Sequence, residues 1–474
     1  MSVPGAHHDG SAPTTAAPAT TASASRSSAP ELEAIARRVL EHAREGEQVE
    51  VFVARGSNMS VKAYEGEVES LTSADSSGVG IRVISEHRQG FAYAGTLDED
   101  VIRETFDDAR DNATFGEPDE FVALTPPDGV PFVDQTLWSD ELVAFPHERK
   151  IEMAIALEAA VKAKDARITG VRAAIYADSR GEAAIASTAG ILASWRGTYC
   201  SVSVAALAVD GDETKIGGGV DVARDPADLD LGRTADDAVE RATRLFGARP
   251  VPSERITVVF EPRLAATLIG LAGSTLTGER VLKGRSPFAD RHGERIASEL
   301  LVLVDDPTDS RSFGADMADG EGLACRRNVL IEDGVLTTFL HNGYTGRRAG
   351  VASTGSAVRG YRSTPGVGTQ ALSVVPGARS HDEILASIDH GFYVQAMTGL
   401  HSGVNPVSGD FSVGAEGLMI RHGALAEPVR EVTLASTLQK LLLGITEIGA
   451  DLEWLPGGTG SATFVIADVA LGGT

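Results

Sequence analysis

The feature that most constrains the fold of this 474-residue chain is a glycine-punctuated stretch from Gly399 to Ala435. Glycine reaches backbone angles barred to other residues and lets another backbone approach closely. We therefore expect Gly409 or Gly414 to need a positive φ or a close contact. The pair His422-Gly423 lies between apolar segments and predicts a tight hairpin. The stretch indicates a glycine-lined loop that leads into an antiparallel meander.

Seven residues of this stretch are our candidates for lining a substrate path or a partner interface. They are Gly399, His401, Gly403, Asn405, Gly409, Asp410 and Gly414. Extended peptides bind by adding a strand to a sheet edge through main-chain hydrogen bonds, and a flat glycine-lined loop beside strand edges suits that mode. The alternative is ordinary turn chemistry in a β-rich domain, with His401 a turn histidine exposed to water.

Charge and cysteine content exclude several functional classes. The chain has 42 Lys and Arg against 67 Asp and Glu, a formal charge of −25. Such a surface repels nucleic-acid phosphates and anionic membranes, so we expect neither as a partner. No apolar run is long enough to predict a transmembrane helix. The two cysteines are too few for a disulfide framework, and no signal-peptide core is present near the start. We expect a cytoplasmic protein.

The periodicity of apolar residues predicts an α+β fold. An N-terminal α/β-sandwich-like domain with antiparallel strands should precede a β-rich C-terminal domain with an antiparallel sheet and a few helices. The expected segments are a disordered Ala/Ser/Thr/Pro tail over 1–30, an N-terminal α+β domain over 31–116, a linker over 117–146, a central α+β domain over 147–250 and a β-rich domain over 251–474. The tail lacks the bulky apolar residues that would offset its ordering entropy.

Local signals place several elements. Apolar spacing predicts a helix over 147–164, and Asp333-Gly334 predicts a hairpin. Thr96 is expected to cap a helix over 98–112. The polar residues 72–77 should separate two strands. The glycine-rich residues 359–368 predict a mobile loop.

A search for a catalytic centre finds weak candidates. His147-Glu148 is the only His-Glu pair among the eleven histidines, and neither HExxH nor HExxxH is present. Asp305, Asp306, Asp309, Asp316 and Asp319 could bind a cation, with a solvated acidic loop as the alternative. Cys200 and Cys325 could be nucleophiles, with buried small hydrophobes as the alternative. Ser194, Ser274 and Ser402 have no nucleophile-elbow context.

Several segments together resemble the TldD/PmbA family of metallopeptidase-related proteins, over about residues 31–474. They are GVNPVSGDFSVGAEGLMI from Gly403, EPVREVTLA with a following helix over 438–448, residues 176–182, residues 194–198, Gly320-Glu321-Gly322 and residues 331–336. Their order and spacing make the match specific. The resemblance alone implies a peptidase-related function.

The resemblance also implies that the two branches of the family have different roles. The TldD branch carries HExxxH on a helix just after a strand equivalent to Val258–Phe260, and a cysteine ligand near its C-terminus. Here the corresponding helix, residues 268–279, holds no histidine, and residues 451–474 hold no cysteine. This is the pattern of the TldE (PmbA) branch, so we assign no catalytic residue, metal ligand or cofactor to this chain.

The expected partner is a TldD-type metalloprotease subunit that carries the zinc, in a heterodimer that cleaves small or unfolded peptides or matures peptide precursors. The alternatives are a metal-free peptide-binding scaffold that acts alone and an independent Cys or Ser hydrolase.

Overall fold

A computed structural model describes residues 29–474. The expected disordered tail therefore lies outside the described residues except for its last two. Ala29 is buried and its backbone nitrogen donates to Ser194 Oγ at 3.2 Å, while Pro30 begins the first helix. These two residues, predicted to belong to the tail, are therefore part of the folded structure.

One six-stranded antiparallel sheet dominates the N-terminal half. Its strands are β1 (Gln48–Tyr64), β2 (Glu67–Ser85), β3 (Arg88–Ala94), β4 (Ile168–Ser187), β5 (Leu192–Asp210) and β6 (Glu213–Ala223), in the order β3-β2-β1-β4-β5-β6. The helices are α1 (Pro30–Leu40), α2 (Glu99–Phe115), α3 (Asp140–Val143), α4 (His147–Lys164) and α5 (Leu231–Thr243), with a 3-10 turn at Pro226–Asp228. Strands from the predicted N-terminal and central domains thus share one sheet, joined where β1 pairs with β4.

Helices cover one face of this sheet in two groups. In the first group, α1 packs on β1 and β4, and α2 packs on β2 and β3. In the second group, α4 packs on β4 and β1, and α5 packs on β5 and β6. Apolar residues at helical spacing supply both buried faces, and α4 begins and ends as predicted. The opposite face of the sheet meets the C-terminal region.

Residues 117–146, predicted as a linker, run mostly without regular structure between the two halves. Gln135 Nε2 donates to the backbone oxygen of Asp316 at 2.9 Å. On the other side, Arg347 Nη2 donates to the backbone oxygen of Ala123 at 2.7 Å. Because these bonds satisfy backbone groups on both sides, the segment is a hydrogen-bonded strap along the interface.

The C-terminal half contains two more six-stranded sheets. Their strands are β7 (Glu254–Phe260), β8 (Leu303–Asp305), β9 (Asn328–Glu332), β10 (Val335–Leu336), β13 (Leu372–Val374), β14 (His390–Thr398), β15 (Asp410–Arg421), β16 (Ala424–Thr437), β17 (Ile445–Ile448), β18 (Glu453–Trp454), β19 (Gly460–Ser461) and β20 (Phe464–Gly472), and β11 (Ala357–Val358) with β12 (Gly366–Val367) forms a separate pair. The orders are β10-β9-β8-β13-β19-β18 and β16-β15-β14-β7-β20-β17.

Helices of this half are α6 (Pro262–Thr275), α7 (Gly278–Leu282), α8 (Gly343–Ala349), α9 (His381–Ala386), α10 (Leu400–Gly403) and α11 (Leu438–Leu443). The apolar helix α6 contacts strands of both sheets and lies in the largest core. Pairing is antiparallel except for β14 with β7 and β13 with β19. The predicted α+β class with antiparallel sheets is confirmed. No helix among residues 29–474 combines the length and the apolar character that crossing a bilayer requires.

Three local expectations differ from the structure. The polar residues 72–77 lie inside β2 rather than between strands, because β1 supplies their hydrogen bonds. Asp98, not Thr96, caps α2: its side chain accepts from the backbone nitrogens of Asp100 and Val101. The helix expected over 438–448 ends at Leu443, and the following residues form β17.

Candidate functional site

A concavity lies where the N-terminal sheet meets loops of the C-terminal half. It consists of two adjoining cavities of about 700 and 540 Å³ that share Arg55, Glu182 and Tyr361 in their walls. We call the two together the cleft. Cavities of this size hold small ligands or a few residues of a peptide.

Adjacent strands of the first sheet form the floor of the cleft. Gly181 of β4 pairs with Gly197 of β5, and Ala183 pairs with Trp195. The Trp195 ring meets the Phe52 ring of β1 edge-on, with centroids 5.9 Å apart. Since successive strand residues point to opposite faces, alternate residues of these strands share the floor.

The roof comes from residues 313–320 and 357–362. Tyr361 packs directly on β2 because two glycines leave room for it. A Cβ on Gly78 would lie 2.3 Å from Tyr361 Cε2, and one on Gly80 would lie 2.3 Å from the Tyr361 backbone oxygen. The loop over 359–368, predicted to be mobile, is therefore anchored to the sheet at its start.

A buried group of four charges joins floor and roof beside the cleft. Glu50 of β1 accepts from Arg82 of β2, with Oε2 and Nη2 2.8 Å apart, and from Arg359 of the roof. Glu321 Oε1 lies 3.9 Å from Arg82 Nη2. Burial alone would raise the pKa of Glu50, but the two guanidiniums outweigh it and hold that pKa below its usual value. Two carboxylates and two guanidiniums leave the group neutral.

A second set of buried carboxylates is held by backbone amides instead. Asp319 Oδ1 accepts from the backbone nitrogens of Glu321 and Leu323 at 2.9 and 3.0 Å. Burial raises the pKa of Asp305 to about 6 and the pKa values of Asp316 and Asp319 to about 7, although amide bonds oppose the shift. The solvated acidic loop expected here is wrong for Asp305 and Asp319, because both are buried and accept hydrogen bonds from backbone amides. Asp316 is half-buried in the wall of the cleft, and its Oδ1 accepts from the backbone nitrogen of Met317.

The position where the resemblance would place a metal centre does not fit one. Beyond its first turn, the part of α6 that is not buried carries Thr267, Gly270, Leu271 and Ser274. None of these is a histidine, cysteine or carboxylate, the side chains that bind zinc in proteins. His341 lies near α7, and its Nδ1 is 3.3 Å from Thr345 Oγ1. Within residues 29–474, no three His, Cys, Asp or Glu side chains come together as metal ligands would.

The thiols and serines weighed as nucleophiles have structural surroundings. Burial raises the pKa of the Cys200 thiol to about 12 and that of Cys325 further still. A thiolate is the reactive form, so both thiols are poor nucleophiles. Ser194 Oγ donates to Glu33 and Ser274 Oγ to the backbone oxygen of Leu271. Ser402 Oγ likewise donates to a backbone oxygen, that of Gly399.

The seven candidates from the glycine stretch come together at one end of β14 and β15. Gly409 has φ +85°, and a Cβ on Gly414 would lie 2.5 Å from Thr398 Oγ1, which confirms the expected demand for glycine. His422-Gly423 forms the predicted hairpin between β15 and β16. His401 is exposed.

Other candidates make ordinary turn contacts. Asn405 Oδ1 accepts from the backbone nitrogen of Val407 at 2.9 Å, and Asp410 Oδ2 accepts from Ser408 Oγ at 2.6 Å. In the part of the chain that the structure describes, none of the seven lines the cleft. Their role at a partner interface stays a prediction.

The residues of the cleft are not among the seven candidates, although the sequence carries a signal for them. Two segments that carry the family resemblance, 176–182 and 194–198, lie side by side on β4 and β5. A third, Gly320-Glu321-Gly322, starts at the last residue of the roof segment 313–320, and its Glu321 Oε1 lies 3.9 Å from Arg82 Nη2. These segments all resemble the family, are far apart in sequence and meet at one surface. Their resemblance was therefore a signal for the position of the cleft.

Comparisons with known proteins identify a family and similar sequences. Models of the PmbA/TldA metallopeptidase domain 1, central domain and C-terminal domain match residues 49–113, 140–246 and 253–473. The chain is 26% identical to the metalloprotease PmbA of Escherichia coli O157:H7 over 413 residues, covering 85% of this chain and 88% of that protein. It is 27% identical over 456 residues to a metalloprotease of Methanothermobacter thermautotrophicus, covering 90% and 96%.

The fold is similar to that of a solved structure. The crystal structure of TldE from Thermococcus kodakarensis superposes with a TM-score of 0.85 at 23% identity, covering 94% of this chain and 99% of that one. At this identity the likeness concerns the fold alone.

Proposed function

Because the chain belongs to the PmbA/TldD metallopeptidase family, we propose that it is the non-catalytic subunit of a two-chain zinc peptidase. The observation that carries the proposal is α6. Where the zinc-bearing branch has HExxxH, the half-buried positions of this helix include Gly270, Leu271 and Ser274, none of which can bind zinc. A partner chain of the TldD type would hold the zinc and supply the metal-activated water.

The role we propose for this chain is to hold an extended peptide in the cleft. Residues 67–77 of β2 pair with β1 on one side, and no other strand among residues 29–474 pairs with them on the other. Asp75, Ser76 and Ser77 of this edge also line the larger cavity. An added strand would bond to the edge through its main chain, which suits substrates of varied sequence.

The proposed substrates are small or unfolded peptides, including peptide precursors. A cytoplasmic location, and the absence of nucleic-acid and membrane partners, stay predictions from the sequence. An independent Cys hydrolase is disfavoured because both thiols are buried with raised pKa values. A peptide-binding scaffold that acts alone shares the cleft but needs no partner.

Co-expression with a TldD-type chain tests the proposal. We expect a heterodimer on gel filtration, peptide cleavage only by the mixture, and zinc on the partner but not on this chain by elemental analysis. Changing the glutamate of the partner's HExxxH should abolish cleavage, whereas His147→Ala and Glu148→Ala here should not.

Two outcomes would contradict it. Zinc-dependent cleavage by this chain alone would show a catalytic centre of its own. Peptide binding without any stable association with a TldD-type chain would favour the scaffold.

A further inference from the structure

The cleft is positively charged, although the chain carries a formal charge of −25. Six arginines and three carboxylates line its two cavities. The arginines are Arg55, Arg180, Arg196, Arg224, Arg359 and Arg362, and the carboxylates are Asp75, Glu182 and Asp316. Across the whole chain acidic residues outnumber basic ones, so this ratio is inverted at the cleft.

Some of these arginines have internal partners. Arg55 pairs with Glu182, and Arg359 pairs with Glu50. Arg224 donates to backbone oxygens, including that of Ser312 at 2.7 Å. These side chains maintain the walls of the cleft rather than face a ligand.

Two arginines of the larger cavity face solvent instead. Arg180 and Arg362 are both exposed. Neither forms an ion pair with any carboxylate in the described part of the chain, and Arg362 donates only to the hydroxyl of Tyr361, at 2.8 and 3.0 Å. An arginine without an internal carboxylate partner can form charge-assisted, bidentate hydrogen bonds to one from a ligand.

We propose that the cleft selects acidic segments of extended peptides, with Arg180 and Arg362 binding their Asp and Glu side chains. The inference rests on the proposed function, because it assumes that the cleft binds peptides. The open edge of β2 at Asp75–Ser77 lies in the same cavity. Arg180 lies on β4, two strands from that edge, and Arg362 lies in the roof, and both line this cavity. Acidic side chains of a peptide paired with the edge would therefore enter a cavity that holds both guanidiniums. A concave surface of one sign concentrates ligands of the opposite sign.

Fluorescence anisotropy on the full-length chain tests this selection. The probes are three labelled peptides of equal length, one rich in Asp and Glu, one rich in Ser and Gln, and one rich in Lys. We expect the acidic peptide to bind at least about tenfold more tightly than the neutral one at low salt, and the preference to shrink as salt screens the charges. The Lys-rich peptide should bind most weakly because the arginines repel it.

Paired variants separate the two arginines from the overall charge. Arg180→Gln with Arg362→Gln should bring the affinity for the acidic peptide down to that of the neutral one. The matched control is Arg280→Gln with Arg285→Gln, which removes the same charge from a separate cavity of about 410 Å³. This control should change the affinity less than about twofold.

Equal affinity for acidic and neutral peptides would overturn the proposal, as would an equal loss in both double variants. Circular dichroism and thermal melting confirm that each variant folds. Failure of the subunit hypothesis would appear differently, as absent cleavage with the partner while the preference for acidic peptides persists.

Discussion

Two sets of carboxylates lie at the interface between the halves of the molecule, and they differ in what compensates their charge. Glu50 contacts two guanidiniums, and its pKa is lowered despite burial. Asp316 and Asp319 accept hydrogen bonds from backbone amides, and burial raises the pKa of each to about 7. The comparison teaches that burial alone does not decide ionisation. Two hydrogen-bonded guanidiniums overcome desolvation at Glu50, whereas amide bonds, supported by Arg224 at Asp316 and opposed by Glu321 at Asp319, do not overcome it.

The two sets therefore stabilise the fold in opposite pH ranges. Glu50, with a folded pKa below its ordinary 4.5, contributes stability above that value and loses it as the pH falls through the folded pKa. Asp316 and Asp319, with folded pKa values above the ordinary 3.8, contribute stability below 3.8 and lose it as the pH rises through about 7.

The largest expected effect on the free energy of unfolding comes from removing Glu50, whose charge two guanidiniums compensate. Glu50→Ala should lower the free energy of unfolding by about 3–5 kcal/mol, because it leaves Arg82 and Arg359 buried without their shared carboxylate. Urea unfolding at pH 7 measures this. The matched control is Glu152→Ala, which breaks an exposed ion pair with Arg149.

The control should cost less than about 1 kcal/mol. If Glu50→Ala cost no more than the control, water would be compensating the buried guanidiniums, and the contrast between the two sets would fail.

A smaller effect should come from the set held by amides. Between pH 5 and pH 8 the wild type loses stability through Asp316, since the unfolded chain is already ionised and the native residue is not. Asp316→Asn removes this titration, so its unfolding free energy relative to wild type should rise by about 2 kcal/mol over that range. Urea unfolding at several pH values gives the difference. A difference independent of pH would mean that Asp316 is ionised in the native state throughout.

The smallest effect should come from Glu158, a carboxylate that is held both by backbone amides and by an ion pair. Glu158 of α4 accepts from the backbone nitrogens of Glu65 and Gly66 at 2.8 and 2.9 Å and also pairs with Lys162. Glu158→Ala should lower the free energy of unfolding by about 1 kcal/mol. The loss is small because water can reach the turn at Glu65-Gly66 and replace the lost hydrogen bonds. Lys162→Ala should cost less than half of that in the same thermal and urea measurements. Equal costs would show that the ion pair, rather than the amide bonds, holds the turn.

The sequence predicts the structure correctly where neighbours along the chain determine it. The hairpins at His422-Gly423 and Asp333-Gly334 depend on residues that adopt positive φ, and the structure has all four there. The long helix α4 follows from its apolar spacing. The polar residues 72–77 of β2 were misassigned, since an exposed strand edge carries no apolar alternation.

The cleft could not be predicted in the same way, because distant segments build it. Glu50 alternates with Val49 and Val51, so the pattern places it on the polar face of β1. That face is covered by the C-terminal half rather than by water, and one of the partners of Glu50 is Arg359. Alternation of polar and apolar residues predicts which face of a strand is polar. It does not predict that a second domain covers this polar face.

The pairing of β1 with β4 has a consequence for how the chain folds during synthesis. Glu50 pairs with Ser187 across this seam, so one edge of β1 has no partner until β4 leaves the ribosome. The ion pair between Glu50 and Arg359 spans 309 positions and forms later still. Contacts of such separation fold slowly, and unpaired edges invite association with other chains. A nascent chain that stalls between α2 and β4 would therefore expose β1 as a site for aggregation or chaperone binding.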